Sequence, residues 1–395
     1  MSKNNSCGVT EAQVPQQRAQ WEISATTTLP DGRTIDWIPI CSQGEIAELP
    51  AEPPPNMQAR SVHEQKADMP AVPELEMEGI EKGPPGTVPV LRGKIEPNKM
   101  FAPSQSKPGP PLNDSMPVSP IPGTSGIPRV AGSHQIVKNF GAGADFSTFA
   151  PEMDQSDDYS LIEIIVENDL GAFDPSRPRE DSRQAVEVGW VVYPSLLGTS
   201  AQLFTFFTTC GYKNDLADYN DKQGWNSDVT GWIQTDDLIF PGTVFENSVV
   251  GGDQYKITAR WRLDNGNWWL WVRDRWIGYY PAKLFRRGRP HCTLSDHADG
   301  IYVYGQVWDS KWTTANPAGT KTDMGSGRFP TEGFKYSSYI KKIKFQPHQG
   351  DQYLQDFDST VALTSDRTKY DAEFHFKSGS SEWGSYMWVG GPGRL

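Results

Sequence analysis

The sequence predicts an all-β protein, a two-sheet antiparallel β-sandwich of the jelly-roll kind, preceded by a largely irregular, proline-rich N-terminal region. Of the 32 prolines, 21 lie in residues 1–130, whereas 12 of the 14 tryptophans lie beyond residue 130. Beyond residue 131, short apolar and aromatic runs are separated by Gly, Asn, Asp and Pro, and apolar residues seldom recur at helical spacing. No repeat of fixed period is visible, which disfavours a propeller or a solenoid.

The N-terminal region is predicted to consist of a polar tail and a proline-rich segment. Residues 1–20 are polar and indicate a disordered tail. Residues 21–48 place apolar residues on both sides of Pro30-Asp31-Gly32, a pattern typical of a small β-hairpin. From Pro50 to Pro128 the chain is rich in proline, glycine and acidic residues, which favours extended conformations that bury little surface. Composition favours a linker, and the alternative is a segment that lies across the folded part.

The clearest strand signal is a hairpin at residues 254–273. Ile257, Ala259 and Trp261 alternate with polar residues, and Asn265-Gly266 supplies a two-residue turn. A hairpin with one buried face is therefore expected. Seven further segments have the composition of strands: Ser160 to Val166, Gln184 to Tyr193, Gln202 to Thr208, Gly300 to Trp308, Tyr336 to Phe345, Asp371 to Lys377 and Trp383 to Val389.

Charge and hydropathy narrow the classes of partner. With 37 basic and 49 acidic residues the net charge is -12, which opposes broad attraction to nucleic acid or anionic membrane surfaces. No stretch approaches the roughly 18 apolar residues of a membrane span. The first residues, MSKNNSCGVTEAQVPQQ, lack the apolar core of a signal peptide. We expect no nucleic-acid partner and no membrane span, and the compartment stays open.

No metal or other cofactor is expected. The four cysteines are widely scattered and form no CxxC pair: Cys7, Cys41, Cys210 and Cys292. His291, Cys292 and His297 are close in sequence, but their spacing fits no common ligand pattern. The chain also lacks a GxSxG nucleophile elbow, an HExxH helix and a GxxxxGK[ST] phosphate loop, which removes those enzyme families.

Two predicted strands carry a polar residue among apolar and aromatic neighbours. Glu187 lies within residues 184–194, and Gln306 lies within residues 300–309. A strand carboxylate either faces solvent, as most do, or is partly buried beside a partner. Only the buried arrangement shifts its pKa and allows acid or base chemistry, so both interpretations stay open from composition alone.

Seven segments carry a family resemblance, in this order: EVGWVVYP, LFTFFTTCGY, NWWLWV, GYYPAKLF, YGQVWDS, TDMGSGRFPTEGF and MWVGGPG. The same segments occur in the same order in the neprosin family of glutamic peptidases, which residues 131–395 resemble. The upstream TTTLPDGRTIDWIPICSQ resembles the activation peptide that precedes the catalytic domain in plant members. After the disordered tail at 1–20, the resemblance implies a proline-rich activation-peptide-like region at 21–130 and a β-sandwich catalytic domain at 131–395.

The resemblance also implies a chemistry. The family uses two catalytic glutamates, one of which corresponds to Glu187. The second belongs to a Gly-Gly-Glu-Val motif that is matched here by Tyr304-Gly305-Gln306-Val307, so Gln306 replaces it. In one hypothesis Glu187 is a general base and Gln306 stabilises the oxyanion, similar to the glutamate and glutamine pair of the eqolisin peptidases. In the other, the domain is inactive and binds peptides or glycans. A structural surface protein is a third possibility.

The resemblance further suggests an endopeptidase that works at acidic pH and cuts near proline in a peptide or protein substrate. Four aromatic residues flank the pair as substrate-binding candidates, with core packing as the other interpretation: Trp190, Tyr193, Tyr304 and Trp308. The N-terminal region would dock on the catalytic domain as an inhibitory propeptide. Relatives have a cysteine pair after the LFTFFT-like strand, but only Cys210 is present here, so that disulfide is not expected. Family habit suggests secretion.

Overall fold

The computed structural model describes residues 21–43, 50–55, 81–92, 126–168, 183–209, 222–286, 294–351, 354–359, 361–376 and 382–393. The predicted tail and the acidic stretch from Pro73 to Ile80 lie outside these residues. The described residues contain nineteen strands: β1 (Ala25–Thr28), β2 (Thr34–Pro39), β3 (Thr87–Leu91), β4 (Ile127–Asn139), β5 (Ala142–Ser147), β6 (Tyr159–Asn168), β7 (Gln184–Tyr193), β8 (Gly198–Thr208), β9 (Gln223–Trp225), β10 (Ile233–Gln234), β11 (Lys256–Asp264), β12 (Asn267–Val272), β13 (Arg275–Pro281), β14 (Ala298–Asp309), β15 (Ser338–Phe345), β16 (Gln355–Asp356), β17 (Ala362–Thr364), β18 (Asp371–His375) and β19 (Tyr386–Gly390).

The strands form three antiparallel sheets. A seven-stranded sheet has the order β17-β4-β14-β6-β7-β8-β9, and a nine-stranded sheet has the order β10-β13-β12-β11-β5-β15-β19-β18 with β16 on β15. A small N-terminal sheet has the order β1-β2-β3. Helical structure in the described part of the chain consists of short 3-10 turns at Ile40–Ser42, Ala282–Phe285 and Pro330–Glu332. The predicted all-β sandwich is confirmed.

One large core joins the two main sheets. Alternate residues of β6 and β7, among them Ile164 and Val188, pack against the inward residues of β11 and β12, among them Trp261 and Leu270. The hairpin of β11 and β12 has the predicted register, with Asp264 opposite Asn267. Asn265 and Gly266 both have positive φ, as a two-residue turn of type I′ requires.

The outer face of the seven-stranded sheet is also buried. All ten residues of β6 and all ten of β7 are buried, so inward and outward side chains alike are shielded from solvent. The outward residues form a second apolar cluster that includes Tyr159, Phe206, Trp225 and Trp308. Polar and apolar residues therefore do not alternate along β6 and β7. For this reason the sequence does not show which face of these strands lies inside the sandwich.

The N-terminal hairpin around Pro30-Asp31-Gly32 is present, with β1 and β2 paired from Ala25 opposite Trp37 to Thr28 opposite Thr34. The proline-rich stretch departs from prediction at one place. Residues Thr87–Leu91 form β3 on β2 and are buried throughout, although the composition indicated little burial. Its apolar side chains have partners there, since Leu91 packs with Trp37 and Phe240.

Hydrogen bonds connect this small sheet to the sandwich. The Arg33 guanidinium Nη1 donates to Gln202 Oε1 at 2.9 Å and to the Gly242 carbonyl at 2.7 Å. The Gln43 side chain pairs with the backbone of Gln234 in both directions, at 2.6 and 2.7 Å, which imitates the pairing of an added strand. A cavity of about 400 Å³ lies between the hairpin and residues 238–244 of the sandwich.

Candidate active site

The outward face of β6, β7 and β14 collects the polar residues that could carry chemistry. Glu187 lies on β7 and Gln306 on β14, and both are buried. The strand between them, β6, carries Glu163, which is buried as well. Side chains alternate along a strand, and the register places all three on one face.

The register fixes how these three residues are arranged. Glu187 lies opposite Ile165, and Gln306 lies opposite Leu161, four residues away along β6. Glu187 and Gln306 are therefore not neighbours, since one strand and roughly 13 Å along its axis separate their positions. Glu163 lies diagonally from each of them, where Cα atoms are typically about 7 to 8 Å apart. Glu163 therefore lies between Glu187 and Gln306 on this face.

The Gln306 amide is oriented by Tyr159. Gln306 Nε2 donates a hydrogen bond of 2.5 Å to the Tyr159 hydroxyl. The Tyr159 ring is itself fixed between aromatic neighbours, stacked on Trp308 with centroids 6.3 Å apart and tilted against Tyr193 at 5.4 Å. Such packing limits the positions that Gln306 can adopt.

Two tyrosines keep their protons at any physiological pH. Burial raises the pKa of Tyr304 well above its ordinary value, and the charges of Glu163 and Glu187 raise it further. Burial also raises the pKa of Tyr159, with smaller contributions from Tyr193 and Glu163, while the Gln306 bond lowers it. Both hydroxyls are consequently permanent hydrogen-bond donors beside the two carboxyl groups.

Gly189 allows β6 and β7 to approach closely at this site. A Cβ added to Gly189 would lie 1.9 Å from the Ile162 carbonyl oxygen and 2.8 Å from the Cα of Glu163. Gly189 is the residue directly opposite Glu163 in the register. The glycine of the Glu-Val-Gly-Trp segment thus has a packing role that brings the Glu163 backbone against β7.

The structure places most of the sequence-predicted site residues on this face. Tyr193, Tyr304 and Trp308 belong to the same outward cluster as the residues around Glu187 and Gln306. Trp190 does not. It lies in the core between the sheets, where its Nε1 donates to the Ser147 carbonyl at 2.7 Å. It lies three positions after Glu187, and an odd offset along a strand places a side chain on the opposite face, so Trp190 is a packing residue.

Sequence reasoning missed Glu163, Tyr159 and Trp225. Glu163 could have been found by the pattern that marked Glu187, a single carboxylate within an apolar strand. The segment that contains it is Tyr-Ser-Leu-Ile-Glu-Ile-Ile-Val. Trp225 lies on β9, too short a strand to give a pattern, and its ring lies 5.6 Å from that of Phe206. Only the register of neighbouring strands reveals that these residues share a face.

A family model described as Neprosin matches residues 156–392. The chain belongs to the Neprosin family. The matched residues include β6, β7 and β14, so Glu163, Glu187 and Gln306 all lie within the Neprosin domain. The N-terminal sheet and the whole of β4 and β5 precede the matched region.

Several solved structures are similar to this Neprosin chain at low levels. SCP-B, a member of the eqolisin family of peptidases in complex with the tripeptide Ala-Ile-His, is 7% identical with a TM-score of 0.30 and covers 67% of this chain and 98% of its own. A Bacteroides ovatus mixed-linkage glucan GH16 protein is 8% identical with a TM-score of 0.23, covering 48% and 70%. The kappa-carrageenase of Pseudoalteromonas carrageenovora is 5% identical with a TM-score of 0.20, covering 46% and 79%.

Metal and membrane sites were sought in the part of the chain that the structure describes. Its His, Cys, Asp and Glu residues include no group of three or more placed to hold a metal ion. Of the neighbouring trio near residue 295, His291 and Cys292 lie outside the described residues, and burial lowers the pKa of His297. Within the same described ranges, no helix has the length and apolar character needed to cross a membrane.

Proposed function

We propose that this Neprosin chain is a glutamic-type endopeptidase that hydrolyses peptide bonds at acidic pH, near proline. The observation that supports this proposal is the shared, buried, aromatic-lined sheet face that carries both Glu187 and Gln306. A carboxyl group in such a place meets two requirements of an acid or base catalyst, burial and hydrogen-bonding neighbours. The family resemblance assigns one catalytic glutamate to the position of Glu187 and a second to the position that Gln306 occupies here.

Glu187 acts as the general base. Its carboxylate takes a proton from a water molecule, and the water oxygen attacks the scissile carbonyl carbon. The Gln306 amide, held by Tyr159, donates a hydrogen bond to the oxyanion that develops on the carbonyl oxygen. Because the two positions are roughly 13 Å apart along β6 in the register, this role requires the Glu187 and Gln306 side chains to converge on one carbonyl when substrate binds. An amide donates at every pH, so this stabilising role does not need the protonated glutamate that other family members use.

Substrate preference follows from the aromatic lining. Tyr193 and Trp308 pack around Tyr159 beside Gln306 and present ring faces and edges. A rigid pyrrolidine ring packs well against such rings at a small entropic cost, which favours proline next to the scissile bond. Proline-rich peptides are accordingly the substrates to try first, and the chain's own residues 50–128 are rich in proline.

The N-terminal region acts as a propeptide that docks on the sandwich. The contacts of Arg33 and Gln43 with residues 202, 234 and 242 support this role. Lys82 and Asp237 form a further contact at 2.7 Å, but both are exposed, and such pairs contribute little. Cys41 is disulfide-bonded, which is typical of proteins that mature in an oxidising compartment and supports secretion.

Cleavage of a defined peptide tests the proposal. The purified chain and its Glu187→Gln variant are incubated with a proline-rich peptide from pH 3 to pH 7, and products are mapped by mass spectrometry. We expect wild-type cleavage near proline that rises toward acid and falls at least about 100-fold in the variant. Saturable peptide or glycan binding without any turnover would instead establish the inactive binding module, and a chain with neither property would be structural.

A further inference from the structure

Four aromatic residues form a platform on the outer face of the nine-stranded sheet. They lie on β12 and β13: Trp269, Trp271, Trp276 and Tyr279. Leu270 and Tyr280, which directly follow Trp269 and Tyr279, belong to the core between the two sheets, so the platform residues face outward. The candidate active site lies on the outward face of the other sheet, and the sandwich separates the two faces.

The rings of the platform contact one another continuously. Trp269 lies opposite Tyr279 in the register with ring centroids 4.5 Å apart, and Trp271 lies opposite Trp276 with centroids 5.1 Å apart. An edge contact between Trp269 and Trp276 at 6.3 Å joins the two pairs. Domains that bind polyproline II helices present aromatic-lined grooves to their ligands, so this lining has the chemistry of such a site.

The chain's own proline-rich segment, residues 50–55, contacts this platform. Ala51 packs against the aromatic cluster, and its backbone N–H donates to the Tyr279 hydroxyl at 3.0 Å. Pro54 is buried, whereas the residues at positions 52, 53 and 55 are exposed. Ala51 and Pro54 are three residues apart, which is one turn of a polyproline II helix, so a single edge of the segment faces the protein.

Two hydrogen-bond donors of the platform are unused. The side chains of Trp269 and Trp276 are 0% and 6% exposed, and their indole N–H groups have no acceptor in the described part of the chain. Trp271 differs, since its Nε1 donates to the Arg273 carbonyl at 2.9 Å. Proline-rich peptides suit free donors, because a polyproline II helix has no internal hydrogen bonds and leaves its carbonyl groups available as acceptors.

We propose that this platform is a second peptide-binding site, which takes proline-rich segments in the polyproline II conformation. Residues 50–55 occupy it in the full chain and leave two indole donors unsatisfied, so a proline-rich segment of another polypeptide competes for the same place. The site is remote from Glu187 and requires no catalysis. The inference therefore does not depend on the peptidase proposal.

Peptide binding to full-length variants tests the site. In the triple variant Pro53→Gly, Pro54→Gly, Pro55→Gly, the segment loses its preference for the polyproline II conformation and releases the platform. A fluorescein-labelled peptide of residues 48–57 should bind this variant saturably in fluorescence anisotropy. Its binding should be at least about tenfold tighter than to the parent, where the tethered segment competes at high effective concentration. Every protein also carries Glu187→Gln, so that hydrolysis does not consume the peptide.

A matched pair of substitutions locates the binding. Trp276→Leu, added to the triple variant, should weaken peptide binding at least about tenfold. Trp388→Leu is the control, because Trp388 lies on the outer face of the same sheet in a separate aromatic cluster and is 5% exposed, close to the 6% of Trp276. It should leave the affinity unchanged. Circular dichroism with thermal melting checks that each variant folds, and Tyr279→Phe, which keeps the ring, should weaken binding about threefold.

Three outcomes overturn the inference. The first is no saturable binding of the peptide to the triple variant, or equal binding of a peptide with glycine at its three consecutive proline positions. The second is an equal effect of Trp276→Leu and Trp388→Leu, which would place the peptide elsewhere, for example at the candidate active site. The third is saturable binding of cellohexaose to the triple variant without binding of the peptide, which would make the platform a glycan site.

Discussion

The side-chain amide of Gln306 lies 2.5 Å from the Tyr159 hydroxyl, to which it donates a hydrogen bond. This contact joins β14 to β6 across the face that carries Glu187 and fixes the one residue that departs from the glutamate pair of relatives. A freely rotating glutamine would be a poor oxyanion donor, because preorganisation provides most of the benefit of such a group. Tyr159 is consequently a positioning residue for Gln306.

Tyr159→Phe should lower kcat by about tenfold with little change in KM, because the amide loses its orientation but remains present. Gln306→Ala should lower kcat further, by about 100-fold or more. Tyr280→Phe is a matched control, since it removes another buried hydroxyl, bonded to Thr205 at 3.1 Å in the core. Equal effects of the two tyrosine changes in steady-state kinetics would show that Tyr159 acts only through stability.

Gly189→Ala should destabilise the fold by roughly 3 kcal/mol or more, because its Cβ would meet the rigid backbone of β6 at 1.9 Å. Gly305→Ala is the control. Its Cβ would meet Met324 Sδ at 2.7 Å, and a flexible thioether can move aside. Urea unfolding followed by tryptophan fluorescence compares the two. A smaller loss for Gly189→Ala than for Gly305→Ala would contradict the close approach of β6 and β7.

Asp323 should make the fold more stable in acid. Burial raises its pKa from 3.8 to about 6, while the hydrogen bond from the Glu152 backbone N–H lowers it, the Glu152 charge raises it and the Arg328 charge lowers it. Between these values the folded chain holds a proton that the unfolded chain has lost, so stability falls as pH rises from about 4 to 6. Asp323→Asn should therefore melt higher than wild type at pH 7 and at nearly the same temperature at pH 4. The amide keeps an acceptor for the Glu152 N–H. The same difference in melting temperature between wild type and Asp323→Asn at pH 4 and at pH 7 would refute this.

Arg33→Met should loosen the N-terminal sheet without disturbing the sandwich. Arg33 bonds across to the Gln202 amide oxygen and the Gly242 carbonyl, neither of which titrates, and within the hairpin to Asp31. Burial raises the pKa of Asp31, but its bonds with Arg33 lower that pKa below the usual value, so the effect should persist from pH 4 to pH 7. Amide hydrogen exchange of β1 and β2 should speed up at least about tenfold, while β6 and β7 stay protected. Arg92→Met, which removes an ion pair with Asp36 and a hydrogen bond to Thr26 Oγ1, both inside the small sheet, is the control. Unchanged exchange would mean that Arg33 does not hold the sheet in place.

The sequence was informative about strands and less so about faces. The strand Gln184–Tyr193 and the hairpin at Asn265-Gly266 follow from β-rich runs and a turn that needs positive φ, and the structure has both. The position of Trp190 also follows from period two, counted from Glu187. Strand β3 was not predicted, because the sequence around it is rich in proline. Its burial depends on contact with Phe240, which is distant in sequence, so no local pattern reveals it.

Glu163 shows why the candidate site needed coordinates. Its strand was predicted, but its place between Glu187 and Gln306 depends on the order β14-β6-β7, and the local sequence pattern does not determine strand order. Both faces of β6 are buried, so no alternation marked one side as functional. A family motif points to Glu187 and Gln306 separately, whereas the residue between them emerges only from the register.

The most direct test of the central claim is kcat/KM on one proline-containing peptide amide, measured from pH 3 to pH 7 for wild type and Glu187→Gln. The account predicts wild-type turnover with its maximum below pH 6, and a value at least about 100-fold lower at every pH when the base is neutral glutamine. Equal values for the two proteins, or no turnover by the wild type at any pH, would contradict it.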